Sequence, residues 1–190
     1  FGNFRLENPN IPSGDIDGTL SFLFGPYDIN AQEYINYQAS DDSEILDAGE
    51  GFRTGSTDNG TFSFKGAIET STVNVPVISG GTTNWNLIGN PYPSYLNVQA
   101  FLNNANNTSI FDDNALAIYG YDGSANNGWT ILNLATTTPS TVITPGQGFF
   151  INAGISGSIN FTTDMRSFGS SDDFISGRAS NQPTYLKLQL

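Results

Sequence analysis

The side chains in this sequence that could do chemistry are carboxylates and aromatic rings. Cys and His are both absent, so thiol nucleophiles, thiolate metal sites, disulfides and the commonest general base are excluded together. The carboxylates come in short clusters: Asp15 with Asp17, Asp41 with Asp42, Asp112 with Asp113 and Asp172 with Asp173. Calcium takes about six to eight oxygen ligands, often from alternate positions of a loop. Two stretches offer that alternation, Asp15-Ile16-Asp17-Gly18 and Asp122-Gly123-Ser124-Ala125-Asn126. Neither completes a calcium loop. In the second, Asn133 stands where a closing acid belongs and Gly128 comes one place late. Calcium is therefore the one cofactor these stretches admit, no metal ligands are assigned, and the competing reading is solvated turns. A carboxylate pair could also cleave glycosidic bonds at a separation of about 5 Å or about 6.5–9.5 Å. Sequence sets no such distance and shows no nucleophile motif, so no catalytic residue is named and a non-enzyme is expected.

The rings are the richer resource, because sugar rings present apolar faces that stack on exposed Trp and Tyr. Trp85 sits inside an apolar strand pattern and reads as core. Trp129 ends the polar run Asp122–Gly128, where loops carry binding residues on a rigid scaffold. It is either folded back as a lid or offered to a ligand. The ligand-binding set predicted here is Trp129, Tyr121, Asn126 and Asn127, with Tyr92 and Tyr95 of a Pro-rich turn as secondary candidates.

Those residues need a scaffold, and the scaffold is written as a repeat. Gly49-Glu50-Gly51-Phe52 leading to Phe62-Ser63-Phe64 returns as Gly146-Gln147-Gly148-Phe149 leading to Ile159-Asn160-Phe161, 97 positions later. The glycines lack a Gly-Lys-Ser/Thr ending and a following helix, so they read as turns and not as a phosphate cradle. Phe4-Arg5-Leu6 matches Trp85-Asn86-Leu87, 81 positions on, and Tyr37 matches Tyr121, 84 positions on. Strands are expected at Phe4–Glu7, Glu33–Gln38, Gly51–Thr54, Thr61–Lys65, Thr72–Ile78, Trp85–Ile88, Leu116–Tyr121, Gly148–Asn152, Ser158–Thr162 and Tyr185–Leu190. Val98–Leu102 is the best helical turn, and Gly18–Phe24 is ambiguous. The fold class predicted is all-β: two tandem, internally repeated β-sandwich-like units, or one pseudo-symmetric sandwich, with at most one or two short helices. The first repeat would span 1–80. The second would span 81–180 with a longer loop over 122–145, and 181–190 would be a strand leading into a missing C-terminal part.

Six Lys and Arg against eighteen Asp and Glu leave a net charge of −12. Phosphate binding draws on clustered cations, so nucleic acid is excluded as a partner and anionic surfaces are disfavoured. No apolar run approaches the roughly 20 residues of a membrane span, so no membrane insertion is expected. The chain opens at Phe1 without a signal peptide, as a fragment would.

Trp85-Asn86-Leu87-Ile88-Gly89-Asn90-Pro91-Tyr92-Pro93-Ser94, followed by Pro145-Gly146-Gln147-Gly148-Phe149 and Asp164-Met165-Arg166, resembles an accessory β module of large secreted Bacteroidetes surface proteins. In those proteins the module lies near the C-terminal sorting domain of type IX secretion. The resemblance implies secretion or display at the cell surface and a non-catalytic role in adhesion or carbohydrate binding. Polysaccharide or other surface proteins would be the partners. The alternatives are a purely structural spacer or assembly module and part of a polysaccharide-degrading enzyme. The resemblance transfers no catalytic residue.

Overall fold

A computed structural model describes residues 1–58, 60–121 and 128–169. In chain order its elements are α1 (Gly2–Glu7), β1 (Ser13–Ile16), β2 (Thr19–Phe22), β3 (Phe24–Asp28), β4 (Glu33–Tyr34), β5 (Phe52–Thr54), β6 (Val73–Val77) and β7 (Trp85–Gly89). There follow β8 (Tyr95–Asn97), α2 (Val98–Asn103), α3 (Ala105–Ile110), β9 (Ile118–Tyr121), β10 (Trp129–Leu132), β11 (Val142–Ile143), β12 (Gly148–Asn152), β13 (Gly157–Phe161) and β14 (Arg166–Ser167). The chain is mostly β, with all described strand pairs antiparallel and three helices of six residues each.

Strand pattern follows side-chain alternation. Val73, Val75 and Val77 point inward while Asn74 and Pro76 face out, and β6 pairs with β13, whose Ile159 and Phe161 close over the same core. The helices are set by caps. Asn97 Oδ1 accepts the Ala100 N–H at 2.8 Å and Asn104 Oδ1 accepts the Asn106 and Asn107 N–H groups, starting two helices in a sequence otherwise poor in helix formers.

Several expectations are corrected. Phe4–Glu7 is helical. A strand would have put Phe4 and Leu6 on one face, but Leu6 is 71% exposed, whereas Phe1 and Phe4, three apart on a helix, are both buried. The third helix, Ala105–Ile110, exceeds the one or two expected. Thr61–Lys65 is irregular, with Phe62 and Phe64 lying against Phe4. Gly18–Phe24 takes in the end of the β1–β2 turn, all of β2 and the first residue of β3. The 122–145 stretch contains β10 and β11, so Trp129 stands on a strand and not on a loop tip. The expected strand Tyr185–Leu190 lies outside the described residues.

Buried apolar residues form two clusters. One gathers Phe1, Phe4, Ile11, Phe22, Phe24 and Tyr37; the larger runs from Val73 to Met165 and includes Phe101, Phe149, Ile151, Ile159 and Phe161. β6 belongs to the larger one, and its partner strand lies in the second glycine frame.

The contacts disclose a repeat whose register differs from the one read in the sequence at its N-terminal end. Phe4 of α1 corresponds to Phe101 of α2, at the same spacing of 97 that relates the glycine frames. Buried Asn8 donates to the carbonyls of Phe4 and Ser63 and accepts from the Ser63 N–H; buried Asn107 donates to the carbonyls of Phe101 and Asn160 and accepts from the Asn160 N–H. Asn8, at the end of α1, and Asn107, on α3, thus each clamp the segment after the corresponding glycine frame. The order β4-β3-β5 likewise matches β10-β9-β12. In this register Tyr121 corresponds to Tyr27 and not to Tyr37, which is buried in the smaller core, and Trp85 has no counterpart in α1.

Candidate aromatic binding face

Strand β7 joins the two motifs. β12 pairs along one edge of it, and on the other Glu50 bridges Ile88 while Gly89 N–H donates to the Gly49 carbonyl at 2.9 Å. The side chains of β9, β10 and β12 that alternate away from the core assemble aromatic rings on the opposite face. Tyr121 and Trp129 are directly paired across β9 and β10, with ring centroids 5.2 Å apart. They are 48% and 45% exposed. Phe150 of β12, at 8% exposure, lies against Trp129, with ring centroids 5.8 Å apart. Tyr119 packs edge-on to Trp85 at 4.7 Å.

The first motif supplies an equivalent pair. Tyr27 and Tyr34 are directly opposite across β3 and β4, 5.4 Å apart, and Tyr27 also meets Phe150, edge-on at 5.2 Å. Arg53 lies with its guanidinium 4.4 Å over the Tyr34 ring, where Nη2 donates to Asn36 Oδ1 at 2.7 Å. Burial raises the Tyr34 pKa, the Arg53 charge offsets part of that rise, and Tyr27 and Tyr121 add to it. The phenol is held protonated as a hydrogen-bond donor at neutral pH.

Beside this face, a cleft of about 560 Å³ runs between the motifs, lined among others by Tyr27, Leu87, Asn74, Asp47 and Glu50. The Glu50 carboxyl is pushed up chiefly by burial and next by Asp47.

Of the predicted site residues, the structure brings Tyr121 and Trp129 together. Asn126 and Asn127 lie outside the described residues, as do the Asp122–Asn126 stretch and Asp172 with Asp173. Trp129 neither covers the core nor hangs in a loop; it stands on an edge strand with its ring against Phe150. Tyr92 is removed from the candidates: it is buried in the larger core, with its hydroxyl 2.5 Å from the Phe161 carbonyl and 2.9 Å from that of Ser71. Tyr95 pairs with β14 at the far sheet. Trp85, expected in the core, is half-buried on the aromatic face. The Asp15–Gly18 stretch runs from the end of β1 into the β1–β2 turn. Asp15 accepts the Gly18 N–H at 2.8 Å, and Asp17 and Gly18 take positive φ. Asp42 pairs with Arg5, and Asp112 accepts the Asn114 N–H, so both are engaged locally. Among the described residues no three acidic side chains gather where they could hold a metal, and no helix is long and apolar enough to cross a membrane.

Sequence reasoning missed Phe150, Tyr27, Tyr34 and Arg53. The available signal was the β-rich run Trp129-Thr130-Ile131-Leu132, which read as a strand places Trp129 and Ile131 on the same face as Tyr119 and Tyr121.

A family model described as a domain of unknown function, DUF8693, matches residues 27–187. The chain belongs to the DUF8693 family. The match opens at Tyr27 and takes in Tyr34, Arg53, Tyr121, Trp129 and Phe150, so the whole aromatic face falls within the DUF8693 unit. No curated protein and no solved structure matches the chain.

Proposed function

We propose that this chain is a non-catalytic carbohydrate-binding module of a secreted or cell-surface protein. The observation that carries this reading is the exposed Tyr121–Trp129 pair, presented on adjacent strands with Trp129 packed against buried Phe150. A rigid pair of rings loses little conformational entropy when a sugar stacks on it. The phenol groups of Tyr27, Tyr34 and Tyr121 supply directed polar contacts next to the apolar platform, the mix that ligand sites use. The resemblance to accessory modules of Bacteroidetes surface proteins supports export by type IX secretion and display beside adhesive or polysaccharide-degrading neighbours. It belongs to the same proposal.

Glycan-array binding followed by calorimetry tests it. Trp129→Ala is expected to weaken binding by about 2 kcal/mol or more, roughly thirtyfold, the cost of removing an aromatic anchor. Its circular dichroism and melting temperature should stay near wild type, because the ring is half exposed. Glycan binding untouched by this substitution rejects the platform.

A spacer or assembly role is favoured by a different observation. Phe150 is enclosed by rings from both motifs, so the same cluster fixes one motif against the other. A module that binds no glycan yet loses the fixed relation of its motifs when Phe150 is replaced by Ala would be a spacer.

A further inference from the structure

The repeat places a second aromatic pair, Tyr27–Tyr34, in the position that Tyr121–Trp129 holds in the other motif, but the residue backing it differs. Phe150 lies against Trp129 in one pair; Arg53, its counterpart 97 positions earlier, lies against Tyr34 in the other. An arginine there is chemically odd. Among the described residues no carboxylate comes within ion-pair distance of Arg53, although the chain carries eighteen Asp and Glu. Among the same residues it donates to neutral Asn36, and its buried Nε finds no acceptor. A buried guanidinium N–H without an acceptor costs free energy, and the group's planar fork of N–H donors matches a carboxylate better than any other group a sugar carries.

We propose that Tyr27, Tyr34 and Arg53 form a second sugar subsite, in which the ring stacks on the tyrosines and its carboxylate is received by Arg53. This rests on the carbohydrate reading of the Tyr121–Trp129 face and names the class of ligand: an oligosaccharide with an isolated uronic acid among neutral rings. The isolation follows from charge. A net charge of −12 repels a densely anionic polymer, whereas one carboxylate at one arginine gains more locally than it loses to the distant field.

Isothermal titration at about 0.15 M salt tests it with oligosaccharides bearing a single uronate and with their carboxyl-reduced, neutral counterparts. The wild-type chain is expected to bind the acidic form roughly tenfold more tightly, as a charge-assisted bidentate pair warrants. Arg53→Gln should erase that preference, so that the acidic and neutral forms bind it equally; Trp129→Ala should weaken both forms alike. Arg53→Lys, which keeps the charge but not the fork, should restore only part of the preference. Equal binding of acidic and neutral forms, or a preference that survives Arg53→Gln, overturns the subsite. If neutral forms bind and depend on Trp129 while acid is not preferred, the subsite falls and the platform stands. Should no glycan bind at all, both fall.

Discussion

The two glycine frames begin alike and end differently. Gly49 and Gly146 both hold positive φ, 87° and 69°, and both deliver the next residues to β7. Glu50 bridges Ile88 on one edge, while Gly148 and Phe149 pair with Gly89 and Ile88 on the other. Beyond that point the second frame continues into β13, finds β6 as a partner and buries Ile159 and Phe161 completely. The first continues into an irregular segment in which Phe64 is 57% exposed, although Asn8 clamps its backbone just as Asn107 clamps that of β13. One local instruction therefore gives two outcomes, and the difference is whether a partner strand stands alongside. A strand is stabilised by the ladder it joins and the face it covers, not by its own residues.

The sharpest way to break this comparison is to cut the same ring from both frames. Phe161→Ala opens a cavity in the larger core and should cost about 3–5 kcal/mol, whereas Phe64→Ala, at the matching position, should cost about 0.5 kcal/mol. Urea unfolding of the two variants measures the contrast, and equal losses would mean that the frames are equally packed. The second glycine of each frame gives a smaller effect. A Cβ on Gly51 would meet Leu87 Cγ at 2.5 Å and Leu87 backbone at 2.8 Å, while on Gly148 its nearest neighbour would be the Ile88 carbonyl oxygen at 3.6 Å. Gly51→Ala should cost about 1–3 kcal/mol from overpacking, and Gly148→Ala should be neutral to stabilising by about 0.5–1 kcal/mol.

The residue between the glycines is Glu50 in one frame and Gln147 in the other. Burial first and Asp47 second raise the Glu50 pKa, so the folded state prefers the protonated carboxyl and carries the charged one at a cost. That cost sets in as pH rises through the window from the ordinary carboxylate value to the raised one, and it persists at neutral pH. Glu50→Gln should therefore melt higher than wild type at pH 7, with the gap closing below the ordinary carboxylate range. Melting curves over that pH range check the sign; a gap independent of pH would show that Glu50 is charged at no cost.

The sequence made the repeat of the glycine frames, the all-β character and the pairing of Tyr121 with Trp129 as candidates readable, because turn glycines and alternating apolar residues are local signals. It misled at Phe4. The triplet Phe4-Arg5-Leu6 looks like Trp85-Asn86-Leu87, yet burial of Phe1 with Phe4 on one helical face and the Asn8 clamp make it a helix. Short apolar triplets carry no period long enough to separate helix from strand. Trp129 was misplaced for the converse reason: the polar run before it hid the strand it begins.

By itself the sequence determined composition and its consequences: no thiol or imidazole chemistry, a strongly acidic chain, and glycine at Gly49 and Gly146, which take positive φ, and at Gly51, which passes close to Leu87. Only the tertiary structure decided which rings share a face, that Tyr27 with Tyr34 repeats Tyr121 with Trp129, and that Arg53 stands beside them with no carboxylate partner among the described residues. These residues lie far apart along the chain. Their meeting depends on strand register across β7, which is set by packing over the whole sheet and leaves no mark in any local stretch.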